Sequence, residues 1–327
     1  MQREAEQGNV LVTGGAGYVG SHACQALAER GFRPVVFDDL SSGHAWAVRW
    51  GPLEQGDLLD RGRLEEVLRR WRPRAVLHFA AQPLIARSLA EPALTWRINA
   101  LGTETLLAAV AATAAIPLVL SSTCSLYGET AAERIDEAHP VRPINPYAES
   151  KLAAERAVAA SGLPATVLRY FNAAGADPGG LIGEAHEPEP HLIPNALKAA
   201  AGRQAGLTVN GLDYPTADGS CVRDYVHVCD LARAHCLALE RLLAGEAGAV
   251  LNLGSGVGAS VLQVIAACET AVGRAIPYRV GPRRPGDPPR LVAEIAAAGR
   301  VLGWRPERSG LATVVADAWA WEQRRPL

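Results

Sequence analysis

Residues Val10–His22 read VLVTGGAGYVGSH. An aliphatic, β-branched run from Val10 to Thr13 hands over directly to glycines at 14, 17 and 20 and then to residues that suit a helix. In that order a strand, a tight turn and a helix N-terminus meet at one point, where unpaired N–H groups and the positive end of the helix dipole face outward. Gly14 allows the turn, Gly17 lets a backbone approach a pyrophosphate, and Gly20 packs helix against strand. The next run, Pro34 to Asp38, ends in a carboxylate at about the twenty-residue separation at which an acidic side chain accepts from both ribose hydroxyls of a dinucleotide. A 2'-phosphate beside Asp38 would meet like charge, so the pattern points to NAD and away from NADP. Taken alone, the glycines read as an ordinary turn, and Asp38 with Asp39 as a solvated one.

Working outward, short runs at Ala75–Phe79, Pro117–Ser121 and Thr166–Tyr170 alternate with alanine-rich helical patterns at Ser21–Glu29, Leu64–Arg70, Pro92–Ala112 and Pro146–Ala160. This is the βαβ rhythm of an α/β, doubly wound parallel sheet of the Rossmann type. The rhythm breaks after Tyr170 into a loop rich in Gly, Pro, Glu and His, and a buried-strand pattern returns at Val250–Leu253. The expected organisation is an NAD-binding domain over 1–172, rejoined around 222–255, and a smaller C-terminal lobe, mainly within 173–327, for the substrate.

The 327 residues are 49% apolar and 20% charged, with 32 basic against 34 acidic side chains. That is a globular composition whose near-zero net charge offers no field for a nucleic acid or an anionic membrane. Six scattered cysteines without a CxxC pair fit a reducing compartment. The charged MQREAEQG start lacks the apolar stretch of a secretory signal. The longest apolar run, Leu106–Leu120, contains Pro117 and is shorter than the ~20 residues of a membrane span. A soluble cytoplasmic protein is expected, with neither nucleic acid nor membrane as partner.

Only two lysines occur, and one of them, Lys151, lies four residues after Tyr147 in NPYAESK, on the same helix face. A phenol with an ordinary pKa near 10 is a poor base at neutral pH, and a nearby ammonium together with a positive nicotinamide favours its phenolate. A surface i,i+4 pair is the bland alternative. Upstream, the strand ending in SSTCSLYG puts Thr123 and Ser125 where strand C-termini meet ligands; either hydroxyl could hydrogen-bond a reacting oxygen, or simply cap the strand.

Together with GDLLDR, HFAA, RYFNAAGA, DYPTADGSCVRDYVHVCDLA, NLGSG and RRPGD, these stretches resemble, over nearly the whole chain, the extended short-chain dehydrogenase/reductase family, and within it the sugar-nucleotide 4-epimerases. The resemblance implies NAD retained through turnover and 4-epimerisation of a UDP-hexose through a transient 4-keto sugar. It implies Tyr147 as base and then acid, Lys151 on the nicotinamide ribose and Thr123 on the sugar. Cofactor positions would be Gly14, Gly17, Tyr18, Val19, Gly20, Asp38, Asp39, Ser41, Ser42, Gly43, Asp57, Leu58, Phe79, Ala80, Ala81, Asn99, Ser121, Tyr147, Lys151 and Phe171. UDP-sugar positions would be Thr123, Tyr147, Asn172, His191, Leu192, Asn210, Arg223, Tyr225, Val261, Arg284 and Asp287, with Arg223 and Arg284 forking onto the pyrophosphate. It also implies a homodimer built on helices near 92–112 and 146–160.

Pro83, Arg87, His191 and Leu291 depart from the pattern of close family members, which leaves the sugar open: hexose, N-acetylhexosamine, pentose or uronate. A 4,6-dehydratase needs an acid and a base beside the threonine, where Cys124 and Ser125 stand. A catalytically idle NAD-binding sensor would have no use for Tyr147, Lys151 and Thr123 together. His186, Glu187, Glu189 and His191 could ligate a metal, yet the interleaved prolines are expected to splay them, so no metal is expected. Cys221, His227, Cys229, His235 and Cys236 match no zinc spacing and read as core residues.

Overall fold

The computed structural model describes residues 7–113, 115–284 and 287–326. The charged residues 1–6 and Pro285–Gly286 of the RRPGD stretch lie outside the described residues. In chain order the elements are β1 (Asn9–Thr13), α1 (Tyr18–Glu29), β2 (Arg33–Asp38), β3 (Leu53–Gln55), α2 (Arg61–Trp71), β4 (Ala75–His78), α3 (Ile85–Ala90), α4 (Pro92–Trp96), a π-helical turn (Arg97–Leu101), α5 (Gly102–Thr113), β5 (Leu118–Thr123), α6 (Pro146–Ala160) and β6 (Ala165–Tyr170). They continue as β7 (Asn172–Ala174), α7 (Leu192–Ala200), β8 (Leu207–Asn210), β9 (Val222–His227), α8 (Val228–Leu243), β10 (Val250–Leu253), β11 (Gly258–Ser260), α9 (Val261–Val272), β12 (Tyr278–Gly281), β13 (Arg290–Leu291), α10 (Ala296–Leu302) and α11 (Leu311–Glu322).

A seven-stranded sheet has the order β10-β6-β5-β4-β1-β2-β3, with β1 parallel to both β2 and β4, and β2–β3 and β4–β5 parallel as well. This is the doubly wound Rossmann arrangement, and the order reverses between β1 and β4. Val10, Leu11, Val12 and the β5 residues Leu118–Leu120 have no exposed surface. Burial on both faces of the sheet is why these strands are uninterrupted apolar runs and do not alternate. One side of the core joins Leu11, Val35, Val76, Leu118 and Leu120 to Leu64, Val67, Leu106 and Val110 of α2 and α5. A second sheet has the order β11-β9-β13 with β7 also on β9, and β8 pairs β12.

The chain divides into two compact units: the first takes residues up to Leu126, Pro143–Arg169 and Ala232–Leu251, and the second Tyr127–Arg142, Tyr170–Leu231 and Asn252 onward. The chain therefore rejoins the first unit over 232–251, where the sequence reading has 222–255, because β9 belongs to the second unit's own sheet. The expected single helix Pro92–Ala112 is three consecutive pieces with a π-helical turn in the middle. Among the described residues no helix is long and apolar enough to cross a membrane.

Candidate active site

The glycine corner tests directly whether the first unit suits a dinucleotide. Gly14 has φ +72, and a Cβ there would lie 2.5 Å from the Ala80 nitrogen, while one on Gly20 would lie 2.2 Å from the Gly14 oxygen. These two glycines are required by the protein's own packing. A Cβ on Gly17 would meet only the Gly14 oxygen, at a tight 3.3 Å, a milder constraint than at the other two glycines. Gly17 N-caps α1 without any side-chain cap, at the positive end of the helix dipole, where a phosphate is favoured. Tyr18 and Val19 form that first turn.

Asp38 closes the corner at the end of β2. Its Oδ2 accepts from the Ala16 N–H at 3.0 Å and its Oδ1 from the Leu40 N–H at 2.9 Å. Burial raises its pKa against the pull of those two N–H groups. Each oxygen retains acceptor capacity, the state a ribose diol needs. Asp39 does not duplicate it: its Oδ1 accepts the N–H (2.9 Å) and hydroxyl (2.7 Å) of Ser41. Ser42 is exposed, and Gly43 sits so close that a Cβ would lie 3.0 Å from Asp38 Oδ1. Asp57 is exposed and binds its own turn at the Leu59 N–H, while Leu58 is buried in the core. Phe79 and Ala80 both donate backbone N–H groups to Thr13, and Phe79 lies against His235. Ala81 continues the half-buried segment after β4.

The face that carries Tyr147 and Lys151 is built on α6. Asn145 caps it, accepting from the Ala148 N–H, and Pro146 opens the helix, so Tyr147 stands in its first turn, half-buried. One turn on, Lys151 is 4% exposed and its Nζ donates to the Ser121 carbonyl of β5 at 2.6 Å. Burial pulls its pKa down to about 8, with Glu155 opposing. Thr123 ends β5; its hydroxyl and that of Ser125 lie 3.2 Å apart, and it accepts the Ser125 N–H at 3.1 Å. Of the two hydroxyls the sequence left open, they are therefore neighbours and not rivals. Asn99 is 1% exposed, and its amide accepts from the Gln82 N–H and donates to Gln82 O and Ser150 Oγ. It ties the segment after β4 to α6.

Two buried groups behind this face escaped the sequence reading. Glu155, one turn beyond Lys151, receives Arg169 of β6 through Nε at 2.9 Å and Nη2 at 2.6 Å and also accepts from Ser122 of β5. The signal was the helical spacing Tyr147, Lys151, Glu155 on a single face. His78, at the end of β4, has Nδ1 2.6 Å from Thr13 Oγ1 and Nε2 3.0 Å from Thr103 Oγ1, and Thr103 in turn donates to Asn99 O. Burial, reinforced by Lys151, pushes the His78 pKa down to about 3.

The second unit gathers the residues assigned to the nucleotide sugar. Asn172 of β7 pairs with Tyr225 of β9, and Arg223 lies two residues earlier on the same strand face. Arg223 is held by Asp287 and by the Val222 carbonyl, and Leu291 pairs opposite it. Asn210 ends β8, and with its amide turned so that the oxygen faces Arg284 that oxygen accepts from Nε at 3.1 Å and Nη2 at 3.2 Å. Val261 begins α9, Leu192 begins α7, and Phe171 is buried with its N–H on Leu253 O. Of the unusual positions, Pro83 is exposed and Arg87 is a surface partner of Glu91. Cys124 is buried, with no carboxylate in its place.

His191 is corrected in one respect. It N-caps α7, and the prolines do not splay its neighbours: Glu184, His186, Glu189 and His191 converge, with one ligating atom from each within 4.8 Å of the others. Burial disfavours charged imidazoles, yet the two carboxylates hold His186 up at about 9 and His191 at about 10. Of the Cys/His group in 221–236, Cys221, His227, His235 and Cys236 are buried as expected, and Cys229 is partly exposed.

A doubly wound sheet with a phosphate-ready glycine corner, a ribose-ready aspartate and a tyrosine–lysine helix face defines a dinucleotide-dependent enzyme of the short-chain dehydrogenase/reductase type. The model of the NAD dependent epimerase/dehydratase family matches residues 10–254, and the chain belongs to that family. It is similar to the UDP-glucose 4-epimerase of Rhizobium meliloti (strain 1021), at 49% identity over 98% of each chain. Among solved structures it is similar to UDP-glucose 4-epimerase from Brucella ovis in complex with NAD (46% identity, TM-score 0.93, covering 95% of this chain and 97% of that one). It is also similar to UDP-glucose 4-epimerase from Bifidobacterium longum in complex with NAD+ and UDP (34%, TM-score 0.92, covering 97% and 99%).

Proposed function

We propose that this chain is an NAD-dependent 4-epimerase that interconverts UDP-glucose and UDP-galactose through a transient 4-keto sugar. The observation that carries the reading is the buried Lys151 ammonium, fixed on the Ser121 carbonyl one helical turn beyond Tyr147. Gly17, the α1 N-terminus and Asp38 would hold NAD, which when bound would supply a reversible acceptor for the hydride of the sugar C4. Tyr147, its phenolate favoured by the Lys151 charge, takes the proton of the 4-hydroxyl and later returns it. Thr123, positioned by Ser125, hydrogen-bonds the same oxygen. Asn99 and His78 are positioning residues that fix α6 and the segment after β4 around this group.

The sugar must present opposite faces of C4 in the two half-reactions while the nucleotide stays bound, so binding energy belongs on the UDP end. Arg223, preset by Asp287, and Arg284, preset by Asn210, have the forked geometry for a pyrophosphate. Asn172, His191, Leu192, Tyr225 and Val261 complete the nucleotide-sugar residues. The same reading includes a homodimer, for which Leu89, Trp96 and Leu101 stand 64%, 48% and 47% exposed along α3, α4 and the π-helical turn. The six free cysteines suit a cytoplasmic setting.

The test is conversion of UDP-galactose, with bound NAD measured after denaturation. The wild-type chain is expected to form UDP-glucose and to release NAD, and Tyr147→Phe to retain NAD while kcat falls by about 10²–10⁴-fold, the usual worth of general acid–base catalysis. A fully active Tyr147→Phe, or a wild-type chain inert toward UDP-galactose, overturns the assignment.

A further inference from the structure

Outside the acid/base face, the segment between β7 and α7 carries a group of side chains with the composition of a metal site. His191 Nδ1 lies 2.5 Å from Glu184 Oε1 and 3.2 Å from Glu189 Oε1; His186 Nδ1 lies 3.1 Å and 3.7 Å from the same two oxygens. A tetrahedral ion bound at ~2.0–2.1 Å separates all six pairs of donor atoms by about 3.3 Å; the four histidine–glutamate pairs lie at 2.5–3.7 Å and the whole group within 4.8 Å, so binding an ion requires its widest pair to close in. The donors stand on fixed supports. The Glu184 carbonyl accepts from Trp321 Nε1 of α11 at 2.8 Å, and Glu189 Oε1 accepts the His191 N–H at 3.0 Å. Asn195 of α7 donates to the carbonyls of Glu189 and His191, both at 2.9 Å.

A second observation points to a cation. The Glu189 side chain is 2% exposed, and its Oε2 is buried with no hydrogen-bond partner. Glu189 Oε1 already meets His186 and His191, and Oε2 is the buried oxygen whose acceptor capacity is left unused. Binding displaces the protons that His186 and His191 share with the carboxylates, after which two carboxylates and two neutral imidazoles balance one divalent ion; this nitrogen–oxygen set suits zinc and its first-row neighbours better than magnesium or calcium, which take oxygen alone.

We propose that Glu184, His186, Glu189 and His191 bind one divalent transition-metal ion of the zinc class. With all four positions supplied by the protein the site is closed, and its ion is structural: it staples 184–191 to the start of α7 and to α11. The inference does not rest on the epimerase reading, but it takes the His191 side chain for the ion and leaves only the His191 backbone to the nucleotide sugar.

The test uses tag-free holoenzyme, stripped with chelator, equilibrated with Zn²⁺ or Co²⁺ and freed of excess ion. About one equivalent per chain by elemental analysis is expected, and Co²⁺ should give the intense visible absorption of a four-coordinate centre. The Glu184→Gln/His186→Asn double variant should lose both signals, with circular dichroism and NAD content reporting its fold. Should that variant fail to fold, His186→Cys keeps a ligating atom and should retain the metal while adding a near-ultraviolet thiolate-to-cobalt band. A wild-type chain that holds less than about a tenth of an equivalent, or a hydrated, six-coordinate cobalt spectrum, overturns the site and leaves an imidazolium–carboxylate cluster. So does a stoichiometry that the double variant leaves unchanged, or a His186→Cys protein without the new band.

Discussion

His78 is held neutral in a place where a charge would be costly. Both ring nitrogens are engaged by Thr13 and Thr103, and no water reaches it. Its pKa is about 3 in the folded chain against an ordinary 6.5, so the unfolded chain takes up the proton first as pH falls. The stability it contributes is complete above about pH 6.5 and is lost progressively toward pH 3, at 1.36 kcal/mol per unit. Denaturant titrations at pH 7 and pH 5 should therefore show the wild-type chain losing about 2 kcal/mol more than His78→Asn, whose own stability is lower but flatter with pH. Equal losses in the two proteins would refute the neutral histidine. At this scale the sequence was most legible where chemistry is local: glycines at 14, 17 and 20, Asp38, and Tyr147 with Lys151. It was least legible where partners come from distant strands, as for His78. The 184–191 segment failed for another reason: its prolines were expected to splay His186, Glu187, Glu189 and His191, whereas His186, Glu189 and His191 converge with Glu184, which the spacing did not single out, because alternating prolines say nothing about which way a chain folds back.

The helix that carries Tyr147 and Lys151 is bolted to the sheet from behind. Glu155 and Arg169 are each about 8% exposed in their side chains and meet through two hydrogen bonds, with Ser122 as third partner. Removing one member strands a buried charge, so Arg169→Leu should cost about 3–5 kcal/mol in urea denaturation, and the Arg169→Leu/Glu155→Leu pair should recover much of it. If the double variant is as unstable as the sum of its parts, the pair is not a coupled unit. Element existence was readable from periodicity: α6 begins and ends at the expected Pro146 and Ala160, because a capping asparagine and a proline mark its start. The break at Arg97–Leu101 was not, since nothing in RINAL forbids an ordinary turn. The π-helical turn places Asn99, whose amide reaches both Gln82 and Ser150.

At the scale of the whole molecule, the exposed Leu89, Trp96 and Leu101 set up the remaining prediction. Light scattering should give the mass of two chains for the wild type and of one for Trp96→Glu, with NAD content unchanged; a monomeric wild type, or a dimeric variant, would remove the interface. The fold class was legible from the order of runs, but the partition was not, because segments 127–142 and 232–251 change units without any shift in composition. That interleaving has a consequence for synthesis. The large sheet takes its last strand from residues 250–253, so a nascent chain released at any earlier codon lacks an edge of the very sheet that carries the glycine corner. Neither half of these 327 residues contains all of one unit, and the large sheet lacks its edge strand until residues 250–253 have been made.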